Sequence, residues 1–320
     1  MVLRKVKNMK VLITGGAGFI GSHLANFLIS KKHEVVAVDN LLLGRKENII
    51  HLADNKNFEF IKEDLLNISK LKKIFQENDF DIVFHLAANS DIQNSAKNPQ
   101  IDLDNTFMTT WNTLECCRLF NVNKFVFASS SAIYGDVQEK LTENFGPLFP
   151  ISYYGASKLA SEAFVSAYAY MNDIQAWIIR FPNVVGERAT HGVIYDFIKK
   201  LRNNPKELEI LGDGSQKKPY IYVKDLIEAM FFVYQKTKDR LNCYNVGVED
   251  HTAVSEIAKI VCEEMGLRNV KLKYTGGNIG WKGDVPQFKY SLDKIHQLGW
   301  KAKYSSTEAV RIAIRRILGK

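Results

Sequence analysis

Three glycines spaced Gly15-x-x-Gly18-x-x-Gly21 break the apolar run Val11-Leu12-Ile13-Thr14, and apolar residues then resume at helical spacing with Ile20, Leu24, Phe27 and Leu28. A strand, a tight turn and a helix in that order leave few folds open. Gly15 permits the turn, Gly18 lets backbone approach a pyrophosphate, and Gly21 lets the helix pack on the strand. The first N–H groups of that helix, at Phe19 and Ile20, face the anion. A second apolar run, Val35-Val36-Ala37-Val38, ends in Asp39 followed by Asn40. An acid about 20 residues past the glycines accepts hydrogen bonds from an adenosine ribose and repels a 2′-phosphate, which points to NAD rather than NADP.

The length, 320 residues, allows one large or two modest domains. With 46% hydrophobic and 24% charged residues, the composition is that of a soluble globular chain. Cys116, Cys117, Cys243 and Cys262 show neither metal-ligand spacing nor a disulfide framework, so a reducing compartment is expected. No apolar run approaches the ~18 residues of a membrane span, and the basic start leads into the glycine turn rather than a signal-peptide core. The expectation is a cytoplasmic protein with no membrane partner. The net charge of +8 is scattered in pairs such as Lys31-Lys32 and Lys72-Lys73, the pattern of solvated faces. An anionic small substrate accounts for it as well as nucleic acid does, and no nucleic-acid partner is expected. The seven histidines make no close ligand pair, so no metal is expected.

Strands near 35–38, 58–62, 81–86 and 124–129 alternate with helices near 70–77 and 101–120, the rhythm of a doubly wound parallel sheet. Asp64-Leu65 follows the third strand and Ala87-Ala88 ends the fourth, so both lie at the edge where such sheets bind ligands. The fifth strand runs into Ser129-Ser130-Ser131-Ala132. Tyr154 and Lys158 share one face of the next helix, which puts an ammonium near a phenol. Taken alone, these are turn-forming serines and a surface lysine.

Their order changes that reading. They are followed by Arg180-Phe181-Pro182-Asn183-Val184-Val185-Gly186-Glu187-Arg188, Gly212-Asp213-Gly214-Ser215, Tyr244-Asn245-Val246-Gly247 and Gly283-Asp284-Val285-Pro286. Over nearly its whole length the chain resembles the extended short-chain dehydrogenase/reductase family, in its NAD-dependent epimerase/dehydratase type, and most of all the UDP-glucose 4-epimerases. The resemblance implies an α/β fold: a Rossmann-type NAD-binding domain over 1–180, to which part of 221–247 returns, and a smaller substrate-binding lobe over 181–320. It implies an isomerase of carbohydrate metabolism that inverts C4 of a nucleotide sugar through a transient 4-keto intermediate. In that scheme Tyr154 is the acid/base, Ser130 hydrogen-bonds the reacting oxygen, and Lys158 holds the nicotinamide ribose. Asn183, Arg188 and Lys218 stand on the substrate side. It also implies a homodimer through the helices near 101–120 and 153–170, which carry Phe107, Trp111, Leu114, Phe164, Tyr168 and Tyr170.

Departures from the family pattern narrow the reaction. Dehydratases follow the catalytic Thr with Asp-Glu, and decarboxylases place a Glu where this chain has Ala132; here Ser130 is followed by Ser131-Ala132, which leaves epimerisation. Lys218 and Trp281 occupy positions where 4-epimerases carry diphosphate-binding arginines, and Arg188 or Lys282 is available to compensate. Counting without gaps from Gly283, Phe288 falls where 4-epimerases carry the residue that bounds the pocket beside the sugar's C2 substituent, so the resemblance implies plain hexoses over N-acetylhexosamines. A tyrosine of ordinary pKa about 10 is a poor base, and Lys158 with the oxidised nicotinamide is expected to lower it. Two alternatives use the same cofactor site: a sugar 4-dehydrogenase or 4-ketoreductase with net redox change, and a non-catalytic NAD-binding sensor.

Overall fold

The apolar runs after the glycine turn are almost unbroken, as strands covered on both faces require. In the computed structural model, which describes residues 8–92, 96–277, 285 and 287–320, they form one seven-stranded sheet. Its strands are β1 (Lys10–Thr14), β2 (Glu34–Asp39), β3 (Phe58–Lys62), β4 (Ile82–His85), β5 (Lys124–Ala128), β6 (Gln175–Arg180) and β7 (Leu241–Asn245). Their order is β3-β2-β1-β4-β5-β6-β7, and every pairing is parallel. The order reverses between β1 and β4, where Val11 pairs with Val35 on one side and Ile82 on the other. Connections leave to opposite faces there, which opens a crevice at the carboxyl ends of the strands.

Helices cover both faces. Helix α1 (Phe19–Ser30) lies on one, α2 (Ile68–Gln76), α3 (Thr109–Leu119) and α4 (Tyr153–Met171) on the other. Leu24, Leu28 and Phe84 belong to the first apolar layer, and Leu71, Phe75, Leu114 and Val165 to the second. Leu114, expected at a dimer face, is fully buried in this core. The helix expected over 101–120 is not uniform: a helical turn at Gln100–Asp102 passes through a π-helical stretch, Leu103–Met108, before α3 begins. The hydroxyls of Thr109, Thr110 and Thr113 bond back to the carbonyls of Asn105, Thr106 and Thr109. Such back-bonding competes with the regular ladder and bends a helix.

Past Arg180 the chain builds a smaller α/β assembly. Asn183–Val185 pairs with Tyr220–Tyr222, and Glu207–Ile210 with Lys271–Tyr274. Around these pairs pack α5 (Val193–Asn203), α6 (Val223–Lys236), α7 (Val254–Glu264), α8 (Asp293–Leu298) and α9 (Ser306–Ile317). Helix α6 reaches back to α1, and β7 closes the large sheet beside β6. All four cysteines are free. Among the described residues no helix is long and apolar enough to cross a membrane.

Candidate active site

The crevice at the carboxyl ends opens into a cavity of about 980 Å³. At one end is the glycine turn. Gly15 has φ +69°, and a Cβ there would stand 2.8 Å from the amide nitrogen of Ala87. A Cβ on Gly21 would meet the Gly15 carbonyl oxygen at 2.2 Å, so α1 approaches the turn only because that position is bare. No side chain caps the N-terminus of α1, whose first turn also carries no acid. The helix therefore presents uncapped N–H groups, at Phe19 and Ile20, to a cavity that both residues line. Asp39 is 7% exposed: its Oδ2 accepts from Ala17 N (3.1 Å) and its Oδ1 from Leu41 N (2.8 Å). Each carboxylate oxygen keeps a further lone pair for a ribose hydroxyl. Asn40 donates to Asp64 Oδ2 (3.0 Å), and Leu65 is anchored by Asn112, which donates to its carbonyl at 2.8 Å. Ala87 and Ala88 line the same wall. Uncapped helix amides, an acid at the end of β2 and small side chains beyond β4 fit a dinucleotide with a free 2′-hydroxyl.

Ser130, Tyr154 and Lys158 meet at the middle of this cavity. Ser130, extended at φ −154°, caps the short helical turn Ser131–Tyr134, its Oγ accepting from Ala132 N at 3.1 Å, and it is hydrogen-bonded to the Tyr154 phenol. Ser152 caps α4 by accepting from Gly155 N (3.1 Å), which sets Tyr154 and Lys158 on the first turns of that helix. Lys158 is buried, donates to Ala128 O at 2.6 Å, and lies 4.8 Å from the Phe127 ring centroid and 5.8 Å from that of Tyr154.

In the chain alone, burial dominates both groups. Tyr154 is partly accessible through the cavity wall, yet burial pushes its pKa up to about 12, with the Ser130 hydrogen bond opposing and the nearby Asp102 charge adding to the rise. Burial likewise pulls Lys158 down to about 7, against the upward pull of Glu162 and Asp102. The reason is desolvation: both groups lie where their charged forms lose water.

Of the residues expected on the substrate side, Asn183, Lys218 and Phe288 line the cavity, and Phe288 is buried against Tyr290. Arg188 does not line it. Glu187 holds the segment to α1 and α6, its carbonyl bonded to His23 Nε2 (3.0 Å) and its carboxylate accepting from Tyr222 (3.1 Å) and facing Lys224. Arg188, at φ +73°, consequently turns its guanidinium toward Asn26 and His51. Trp281 and Lys282 lie outside the described residues. Three residues that motif reading passed over support the site. Glu162 is buried in a bidentate pair with Arg180 and accepts from Ser129; a Glu four residues after Lys158 on an otherwise apolar helix was the available signal. Asn89 lines the cavity, and Asp102 accepts from its side chain. Among the described residues no group of three or more metal-binding side chains converges.

Comparisons with known proteins agree with this geometry. The model of the NAD dependent epimerase/dehydratase family matches residues 11–247. UDP-glucose 4-epimerase of Mycolicibacterium smegmatis is 33% identical over 264 residues, 81% of this chain and 83% of that protein. A crystal structure of UDP-galactose 4-epimerase superposes with a TM-score of 0.85 at 38% identity, covering 97% of this chain and 99% of the other. The Thermus thermophilus UDP-glucose 4-epimerase in complex with NAD gives 0.86 at 32% identity, with the same coverage. The matched residues span the glycine turn and Ser130, Tyr154 and Lys158, and the chain belongs to the NAD dependent epimerase/dehydratase family.

Proposed function

We propose that this chain is an NAD-dependent nucleotide-sugar 4-epimerase. The observation that carries the reading is the meeting of Ser130, Tyr154 and Lys158 in the wall of the cavity whose far end holds Gly15, Gly18 and Asp39. Phe19 and Ile20 amides would hold the pyrophosphate, Asp39 the adenosine ribose, and Lys158 the nicotinamide ribose. When bound, NAD supplies a hydride acceptor that returns what it takes, and a positive charge beside the phenol. Tyr154 then removes the proton of the sugar hydroxyl at C4 and later returns it, while Ser130 holds that oxygen in line. The phenol, which burial holds at about 12 in the chain alone, would be drawn down by that positive charge beside it.

Ser130, Ser131 and Ala132 all line the cavity, and none offers a carboxylate for elimination or decarboxylation. This favours return of the hydride to the same carbon. The relatives named above act on UDP-glucose and UDP-galactose, and a UDP-hexose is the proposed substrate. The outer faces of α3 and α4 leave Leu119, Phe164, Tyr170 and Met171 exposed, and a second copy of the chain is the proposed cover. The deciding experiment incubates the purified protein with UDP-glucose or UDP-galactose, following C4 inversion by NMR and NADH by absorbance. The expected result is interconversion without net NADH, lost in Tyr154→Phe. NADH accumulating with product would establish the dehydrogenase instead, and NAD binding without conversion of either sugar would overturn catalysis.

A further inference from the structure

Asp102 ends the helical turn before the π-helical stretch and is completely buried. Its Oδ1 accepts from Asn89 Nδ2 at 2.8 Å, whereas no described residue bonds its Oδ2. A buried carboxyl group with one oxygen left unbonded is costly. Helix α4 packs along Gln100–Asp102 and Leu103–Met108, which brings Tyr154 and Lys158 within electrostatic reach. Asn89, which Asp102 anchors, also bonds Thr106 Oγ1 through its amide (3.1 Å) and lines the cavity, so the same carboxylate helps hold the cavity edge after β4.

We propose that Asp102 is a positioning residue of the reaction centre, a buried negative charge behind the Tyr154 and Lys158 pair that sets the pH range over which the two work together. The proposal rests on the reading that Tyr154 and Lys158 carry the proton chemistry. The other groups around it do not duplicate it. Glu162, one turn beyond Lys158, is already met by Arg180 at 2.6 Å. His85, at the end of β4, is held neutral by burial and by the adjacent Lys158. Asp91 sits on the cavity loop with its amide donating to Asn89 Oδ1, and Asp104 on the same helical stretch accepts from Gln100.

The sign follows from the charge. Asp102 favours the Lys158 ammonium and disfavours the Tyr154 phenolate, holding both titrations at higher pH. Asp102→Asn retains an acceptor for Asn89 and removes the charge, so both limbs of the pH profile of kcat/KM move to lower pH, by about one unit. NAD affinity, measured by calorimetry from pH 6 to 9, should begin to fall about one unit earlier in the variant, as Lys158 loses its proton sooner. Asp102→Ala, which also abandons Asn89, should in addition lower kcat at every pH. If the Asn variant does not fold, Asp102→Ser carries the same expectation for both profiles. A shifted profile in either readout supports the proposal. Profiles of a folded variant that superimpose on the wild type, with Tyr154→Phe inactive, overturn it and leave the proposed function standing. Full activity of Tyr154→Phe would instead remove the functional reading on which it rests.

Discussion

Gly18 and Gly21 are three residues apart in one motif, yet the structure gives them separable tasks, and alanine at each should fail differently. At Gly21 a Cβ would lie 2.2 Å from the carbonyl oxygen of Gly15 and 2.9 Å from its carbonyl carbon, both backbone atoms of the turn. Contacts under 3.0 Å are essentially never seen, so α1 must back away by roughly 0.8 Å. Overpacking against backbone costs about 3 kcal/mol, the upper end of its usual range. With an unfolding entropy of about 0.7 kcal/mol/K for a chain of this length, the melting temperature should fall by about 4–5 °C. At Gly18 the backbone is at φ −71°, ψ 177°, open to any residue, and a Cβ meets only the Gly15 oxygen, at 3.1 Å. Gly18→Ala should therefore melt within about 1–2 °C of wild type without NAD. The proposed pyrophosphate, however, needs that close approach. NAD at 100 times its dissociation constant stabilises the wild type by about 2.7 kcal/mol, a rise of about 4 °C, and Gly18→Ala should show almost none of it. Differential scanning fluorimetry with and without NAD reads both effects. The reasoning is refuted if Gly18→Ala keeps the full NAD shift, or if Gly21→Ala melts like wild type in the absence of NAD.

Asp39→Ala should weaken NAD binding, erase most of its advantage over NADP, and cost about 1–2 kcal/mol of stability, because Ala17 N and Leu41 N both lose an acceptor; fluorescence titration with both nucleotides checks it, and an unchanged preference would take Asp39 out of that role. Phe288→Ser should raise kcat/KM for UDP-N-acetylglucosamine relative to UDP-glucose about tenfold, since a ring buried at the cavity wall is replaced by space; an unchanged ratio would show that Phe288 does not bound the sugar. Light scattering at micromolar concentration should give twice the 36.4 kDa chain mass, and Phe164→Asp, placed on an exposed apolar face, should restore the monomer; a wild-type monomer refutes the second copy.

What the sequence alone determined is what local chemistry dictates. Glycine spacing, unbroken apolar strands and an acid at the end of the second strand are short-range signals, and they sufficed for the doubly wound sheet, the turn at Gly15 and the approach of α1. Tyr154 and Lys158 sit one helical turn apart, so their common face was legible as well. The tertiary structure decided whatever depends on burial and on partners distant in the chain. Leu114 belongs to the core rather than to a surface because α2 and α4 cover it. Arg188 turns away from the cavity because Glu187, beside it, is claimed by His23 and Tyr222. Burial raises the Tyr154 phenol in the chain alone because desolvation outweighs the hydrogen bond from Ser130. Asp102, one acid among many in the sequence, becomes a fully buried partner of Asn89 only in the packed fold. Periodicity is written in each segment; the water that a side chain loses is settled only when all the segments have packed.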